Sequence, residues 1–184
     1  MNELFLGNYV DKLYDMPDGS IDTIIMDPPY DIMPDFDLLD RVCRGNIICF
    51  CAPENEFFAP DERAYWIKTP STKNYTKHLG RFVEHILIAR RGDTFNTDLH
   101  WSNYTGVYTD MILTKQVHPF EKPLSLMERL VLIYSKHGDI ILDPFMGSGT
   151  TGLACQNTGR KFLGCEIDPK WYDLARTNIG EYDD

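Results

Sequence analysis

Residues 138–151 read GDIILDPFMGSGTT. Ile140, Ile141 and Leu142 make a short unbroken apolar run, the pattern of a strand buried on both faces. The run leads straight into a glycine-rich bend, and from Thr150 onward the pattern turns helical. A strand whose carboxyl end enters glycines at the start of a helix brings bare backbone N–H groups against a ligand. The stretch lacks the lysine and spacing of a P-loop, and GSG is shorter than the dinucleotide fingerprint. A tight strand-to-helix turn that binds nothing has the same local pattern. The next segment weighs against that plain turn: after Gly159, residues 161–165 read as a second strand that ends in Glu166. An acidic residue closing that strand is placed to accept hydrogen bonds from the two hydroxyls of a ribose.

A chain of 184 residues with an ordinary apolar fraction is expected to form one domain, residues 1–184, with a real core. It has no long apolar segment and its N-terminus, MNELFLGNYV, lacks a signal-peptide layout, so a soluble, intracellular protein without a membrane partner is expected. Cys43, Cys49, Cys51, Cys155 and Cys165 contain no CxxC pair and sit mostly in apolar runs. They read as core thiols, with neither disulfide nor bound metal. The formal charge of −10 argues against a polyanionic partner, but its distribution is uneven. Asp11, Asp15, Asp18, Asp22, Asp27, Asp31, Asp35, Asp37 and Asp40 crowd one segment. Arg63, Lys68, Lys73, Lys77, Arg81, Arg90 and Arg91 fill another, opposed there by Glu84 alone. A solvated basic face is the ordinary reading of such a run, and one basic surface on an acidic protein can also track phosphates.

From the start of the chain, residues 3–6 read as a short strand closed by Gly7 and Asn8, and residues 21–26 (IDTIIM) as a second apolar strand ending abruptly in Asp27-Pro28-Pro29-Tyr30. Two prolines offer no ladder N–H, so the chain must leave the sheet there and display Asp27 and Tyr30 at a strand's carboxyl end. The Asp27 carboxylate and the Pro28 carbonyl form a pair of acceptors suited to one NH2 group. Tyr30 could stack on the planar ring that carries it. A proline-rich strand exit with a solvated aspartate and a packing tyrosine is the plain alternative.

Asp27-Pro28-Pro29-Tyr30 together with Asp143-Pro144-Phe145-Met146-Gly147-Ser148-Gly149-Thr150 resembles the amino-group DNA methyltransferases. In that family the DPPY motif holds the target base and an FxGxGT loop holds S-adenosyl-L-methionine. The base-holding motif precedes the cofactor motif here, which resembles the permuted β-class order. The resemblance implies an α/β, Rossmann-like S-adenosylmethionine-dependent methyltransferase fold, a mostly parallel twisted sheet with helices on both faces, circularly permuted. It implies a catalytic half over 1–91, a short recognition stub over 92–117 and a cofactor-binding half over 118–184. The N-terminal strand would supply the sheet position that the C-terminal end leaves open. Asn8 would then fall where relatives often carry an aspartate against the cofactor's adenine.

Between the motifs, residues 35–44 are predicted helical and residues 46–51 (NIICFC) form a third buried strand. The pattern breaks up over 54–80, where aromatics alternate with lysines. That loop reads as a nucleic-acid-facing element carrying Lys68, Lys73, Lys77 and Arg81, or equally as a surface loop with anchoring aromatics. Residues 81–90 resume a strand, with Val83, Ile86 and Ile88 as core candidates, and 92–117 are irregular. In His118-Pro119-Phe120-Glu121-Lys122-Pro123, proline is expected at the first helical position, with Met127, Leu130, Val131 and Tyr134 as the buried stripe of the helix. The resemblance implies that His118 and Lys122 face the cofactor's methionine carboxylate. Asp168 and Pro169 read as the cap and first residue of a final helix.

The expected cofactor site is therefore Asn8, Asp27, His118, Lys122, Asp143, Pro144, Phe145, Gly147, Ser148, Gly149, Thr150, Glu166 and Ile167, and the expected catalytic set is Asp27, Pro28, Pro29 and Tyr30. The exocyclic amine of a base is a poor nucleophile because its lone pair is delocalised into the ring. Accepting both of its N–H hydrogens would release that pair toward an electrophilic methyl group, with the base flipped out of duplex DNA. The resemblance favours adenine N6 over cytosine N4, in the manner of restriction-modification enzymes. It implies a cytoplasmic, bacterial or phage-encoded, nucleoid-associated protein. The short stub leaves room for a homodimer or a separate specificity partner. A non-catalytic, cofactor- and DNA-binding subunit is the alternative of a different class.

Overall fold

Every residue of Ile21–Met26 is buried, which places this strand, β2, in the interior of the sheet with apolar packing on both faces. The structure is a computed structural model that describes residues 2–29, 31–52, 56–68, 83–91, 95–109 and 121–180. Its strands are β1 (Asn2–Leu6), β2, β3 (Cys43–Cys51), β4 (Glu62–Ile67), β5 (Val83–Ala89), β6 (Val107–Tyr108), β7 (Ile140–Asp143) and β8 (Lys161–Glu166). They form an 8-stranded sheet in the order β1-β8-β7-β2-β3-β5-β4-β6. All neighbours pair in parallel except that β5 runs antiparallel to both β3 and β4.

The helices are α1 (Tyr9–Tyr14), α2 (Phe36–Val42), α3 (Leu124–Tyr134), α4 (Thr150–Thr158) and α5 (Pro169–Ile179). Because side chains alternate along a strand, the sheet feeds two cores. Ile24, Met26, Ile47, Cys49, Leu142 and Cys165 meet Leu13 of α1 and Leu39 and Val42 of α2 on one face. Ile25, Ile48, Phe50, Ile141 and Phe162 meet α3, α4 and α5 on the other. The expected helices on both faces and mostly parallel sheet are thus present. β1 pairs in parallel with β8, as the permuted order requires. The predicted stripe Met127, Leu130, Val131 and Tyr134 is buried, and all five cysteines are buried thiols. Among the described residues no helix is long and apolar enough to cross a membrane.

Several boundaries differ from the sequence expectations. The predicted helix 35–44 ends at Val42, because Cys43 is already extended and pairs with Ile21, which lets Arg44 Nη2 reach Asp22 Oδ1 at 2.5 Å. The irregular stretch 54–80 contains β4, whose inner residues Ala64 and Trp66 are buried against β5. The irregular stretch 92–117 contains a 3-10 turn at Trp101–Tyr104 and β6, which extends the sheet beyond β4. Val83 is 37% exposed rather than core. Ile86 and Ile88 share one face of β5, and the side-chain period of two puts Glu84 with them and Val83 on the other face. Pro123 is the N-cap of α3 instead of its first residue, its carbonyl accepting from Leu126 N and Met127 N at 3.1 Å each.

The junction of α4, α5 and β8 has no spare volume. A Cβ on Gly152 would lie 2.4 Å from Ile179 Cδ1 and 2.8 Å from the buried Phe162 ring. Gly152→Ala is therefore expected to destabilise the fold by about 1–3 kcal/mol through overpacking. A shift of the urea midpoint to lower concentration with unchanged slope is the expected readout; an unchanged midpoint would contradict it.

Candidate active site

β2 and β7 pair in parallel, Thr23 with Ile141 and Ile24 with Leu142, so their carboxyl ends lie side by side. The chain leaves β2 for β3 through α2 on one face and leaves β7 for β8 through α4 on the other. A crevice opens where the winding direction changes, the usual ligand site of an open α/β sheet. Asp27 and Asp143 stand at its two lips. A cavity of about 760 Å³ fills the crevice, within the ordinary range for a small-molecule site.

Of the sequence-predicted residues, Asn8, Asp27, Pro28, Pro29, Lys122, Asp143, Pro144, Phe145, Gly147, Ser148, Thr150, Glu166 and Ile167 line this one cavity. Gly149 serves beneath it: as N-cap of α4 it sits at φ +83°, in the left-handed region that favours glycine, with its N–H on the Met146 carbonyl at 2.8 Å. Tyr30, His118, Lys73, Lys77 and Arg81 lie outside the described residues. Thr23 Oγ1 of β2 donates to the Tyr134 carbonyl at 2.7 Å, which ties the strand that ends at Asp27 to the end of α3.

The glycine loop is organised by side chains from three elements. Gly147 N donates to Glu166 Oε2 and Asp168 N to Glu166 Oε1, each at 2.9 Å, which orients the carboxylate at the end of β8. Asn178 Nδ2 of α5 donates to the Ser148 carbonyl at 2.9 Å. Asp143 accepts from Phe145 N at 3.0 Å and from Thr151 Oγ1 at 2.6 Å. Burial pushes the Asp143 carboxyl up to about 7, against the pull of those two hydrogen bonds, and the nearby Asp27 adds to the rise. Asn8 caps α1 by accepting from Val10 N at 3.0 Å. Phe145 packs edge-on against Tyr9, with ring centroids 5.1 Å apart.

On the other lip, the β2–β3 ladder ends at the pair Met26 and Cys49, so Asp27 and Pro28 lie beyond it. Lys122 Nζ donates to Asp27 Oδ2 at 2.5 Å and lies 3.2 Å from Glu84 Oε2. Glu84 in turn is ion-paired with Lys68. Burial raises the Asp27 carboxyl, with Lys122 opposing the rise. Burial also works against the Glu84 carboxylate, but the combined pull of Lys122 and Lys68 holds it below the ordinary glutamate value.

Lys122, assigned by resemblance to the cofactor's carboxylate, lines the cavity and also holds Asp27 and Glu84, because the entrance to α3 lies over the end of β2. One expectation needs correcting. Lys68, expected on a nucleic-acid-facing basic loop, turns inward to Glu84, with its ammonium 5.0 Å from the Trp66 ring centroid. The other described cations of the basic run are likewise paired, Arg63 with Glu56, Arg90 with Glu62 and Arg91 with Asp40. Tyr9, Ile32, Phe50, Met127 and Trp171 also line the cavity and were not anticipated. Only Glu84 carried a sequence signal that was missed: a glutamate sharing a strand face with Ile86 and Ile88.

A family profile described as DNA methylase, that of the N6 and N4 methyltransferases, matches residues 40–177. The chain belongs to this family of amino-group DNA methyltransferases. The matched stretch begins after Asp27-Pro28-Pro29-Tyr30, so that motif stands on its own sequence and on the placement of Asp27, Pro28 and Pro29 at the cavity. The chain is 36% identical over 145 residues to the type II methyltransferase M2.DpnII of Streptococcus pneumoniae, covering 70% of this chain and 54% of that protein. It is 31% identical over 148 residues to M2.LlaDCHI of Lactococcus lactis subsp. cremoris, covering 71% of this chain and 54% of that protein. The chain thus spans about half the length of these curated relatives. Its fold superposes on the crystal structure of the M1.HpyAVI–SAM complex with a TM-score of 0.77 at 26% identity, covering 96% of this chain and 99% of that one.

Proposed function

We propose that this methylase transfers a methyl group from S-adenosyl-L-methionine to the exocyclic N6 amine of an adenine turned out of duplex DNA. The observation that carries the reading is that Asp27 and the glycine loop after β7 open on one continuous cavity. The donor set suits this cofactor. Glu166 is oriented by two backbone N–H groups, Asn8 and Ile167 border the same space, and Asp143 is a buried carboxyl that a positively charged ligand would stabilise in its ionised form. When bound there, S-adenosylmethionine supplies an electrophilic methyl group on a sulfonium.

The chain's own residues do the rest. Lys122 occupies one side of the Asp27 carboxylate, which retains further lone-pair directions for an amine hydrogen. The Pro28 carbonyl, past the end of the strand ladder, serves as the second acceptor. Drawing both hydrogens out of the ring plane localises the nitrogen lone pair and aims it into the cavity. Tyr30 stacks on the flipped ring. DNA contact falls to Lys73, Lys77 and Arg81, with a second copy or a specificity subunit completing recognition, in the cytoplasm of a bacterial or phage-infected cell.

The test is transfer of labelled methyl from S-adenosylmethionine to unmethylated duplex DNA, followed by digestion to nucleosides. Label in N6-methyldeoxyadenosine is expected. Label in N4-methyldeoxycytidine would replace the target base in this reading. Tight cofactor binding without transfer would favour a subunit that needs a partner.

A further inference from the structure

Four charged side chains from four segments converge beside the reacting end of β2. Asp27 follows β2, Lys122 precedes α3, Glu84 lies on β5 and Lys68 follows β4. They form an unbroken row in which Lys68 pairs with Glu84, Glu84 with Lys122 at 3.2 Å, and Lys122 with Asp27 at 2.5 Å. The inner members are nearly removed from water, the Glu84 and Lys122 side chains being 7% and 8% exposed. Aromatic faces close the box: Lys122 Nζ lies 5.1 Å from the Phe50 ring centroid and 5.8 Å from that of Trp66. Such a row is expensive to bury, and a hydrophobic pair of equal volume would serve stability at least as well. Its position at the end of β2 is therefore the feature to explain.

We propose that Glu84, clamped by Lys68, is a positioning residue for methyl transfer: it divides the hold of Lys122 between two carboxylates, so that Asp27 is fixed in place yet remains a strong acceptor for the target amine. The proposal rests on the functional reading above and deepens it. A lysine serving Asp27 alone would orient the carboxylate but weaken it as an acceptor, since a proton-donating cation competes with the amine for the same oxygens. With no lysine at all, the buried carboxylate would take up a proton and become a donor. An intermediate state needs a second carboxylate on the lysine, and a second cation to keep that carboxylate ionised. Glu84 and Lys68 supply them. Asp143 of β7 and Cys49 and Cys51 of β3 also act on Asp27, and neither thiol carries charge near neutrality; Asp31 and Glu121 border the same cavity.

The row makes opposite predictions for Glu84 and Lys68, which a merely structural role would not. In Glu84→Gln, Lys122 turns wholly to Asp27. The plateau kcat is then expected to fall about tenfold, and the acidic limb of the kcat–pH profile to move to lower pH. In Lys68→Met, Glu84 draws Lys122 away from Asp27, and the acidic limb is expected to move to higher pH. Glu84→Asp should restore part of the lost rate. The measurements are steady-state methyl transfer to duplex DNA from pH 5.5 to 9 and calorimetric binding of S-adenosylmethionine to each variant, which should change little. Limbs that move in the same direction, or that stay fixed while activity falls, would overturn the role of Glu84 and leave the functional reading standing. A wild-type chain that binds the cofactor but transfers no methyl group would overturn both.

Discussion

Asp27→Ala is expected to reduce methyl transfer by about 10²–10³-fold, with cofactor affinity changed far less. The amine of a base gains nucleophilicity only when acceptors stabilise the localised lone pair, and in the proposed reaction Asp27, past the end of the β2 ladder, is the charged member of the acceptor pair. Removing it deletes the stronger acceptor and also leaves Lys122 facing the site with Glu84 as its carboxylate partner. The ammonium would then present donors where the reaction needs an acceptor. Asp27→Asn keeps the shape and one acceptor oxygen but adds donors, so it is expected to lie between alanine and wild type. Rates measured with saturating DNA and S-adenosylmethionine decide the matter. A cofactor titration on the same preparations separates a chemical defect from a collapsed cavity. Full activity in Asp27→Ala would remove the aspartate from the mechanism and move the acceptor role to another group.

The second large effect concerns cofactor binding and pH. Asp143 is buried at the cavity wall with its carboxyl held up to about 7, so in the absence of ligand it is largely protonated below that pH. A cofactor carrying positive charge favours the ionised form, and binding must then expel the proton. Affinity for S-adenosylmethionine is expected to fall about tenfold for each pH unit below 7 and to level off above it. Calorimetry in buffers of different ionisation enthalpy should register about one proton released at pH 6, and fewer at pH 8. Stability of the unliganded protein runs the other way. The native-state value lies above the unfolded-state value, so this group's contribution is complete near pH 4 and is lost as pH rises through 7. Asp143→Asn keeps an acceptor for Phe145 N, and it is expected to flatten both dependences while weakening cofactor binding at pH 8. A pH-independent affinity in the wild-type protein would show that Asp143 does not face the cofactor's charge.

The readability of this protein followed the range of the interactions involved. β2, β7 and β8 announce themselves as apolar runs because both of their faces are buried. The exits at Asp27-Pro28-Pro29 and at the glycine loop are equally legible, since proline and glycine act on their own backbone. β4 and β6 were not legible. β4 is a strand because β5 supplies its antiparallel partner, and the two residues of β6 pair with β4, their one partner among the described residues. The basic run 63–91 shows the same limit from the side of charge. Its described members Arg63, Lys68, Arg90 and Arg91 find carboxylates on other segments, and no count along the sequence reveals those pairings.

Residue type and spacing alone mark where the two halves of the site begin, at Asp27 and at Asp143, each closing a buried strand, and they carry the order of the motifs and the resemblance to the family. Tertiary structure decided what those residues face. Pairing of β2 with β7 brings the two motifs, more than a hundred positions apart, to one cavity. The antiparallel turn of β5 brings Glu84 to Lys122, whose ammonium also reaches the Asp27 carboxylate at the end of β2. A charge takes its role from its neighbours in space, and in a sheet with this strand order those neighbours come from distant parts of the chain.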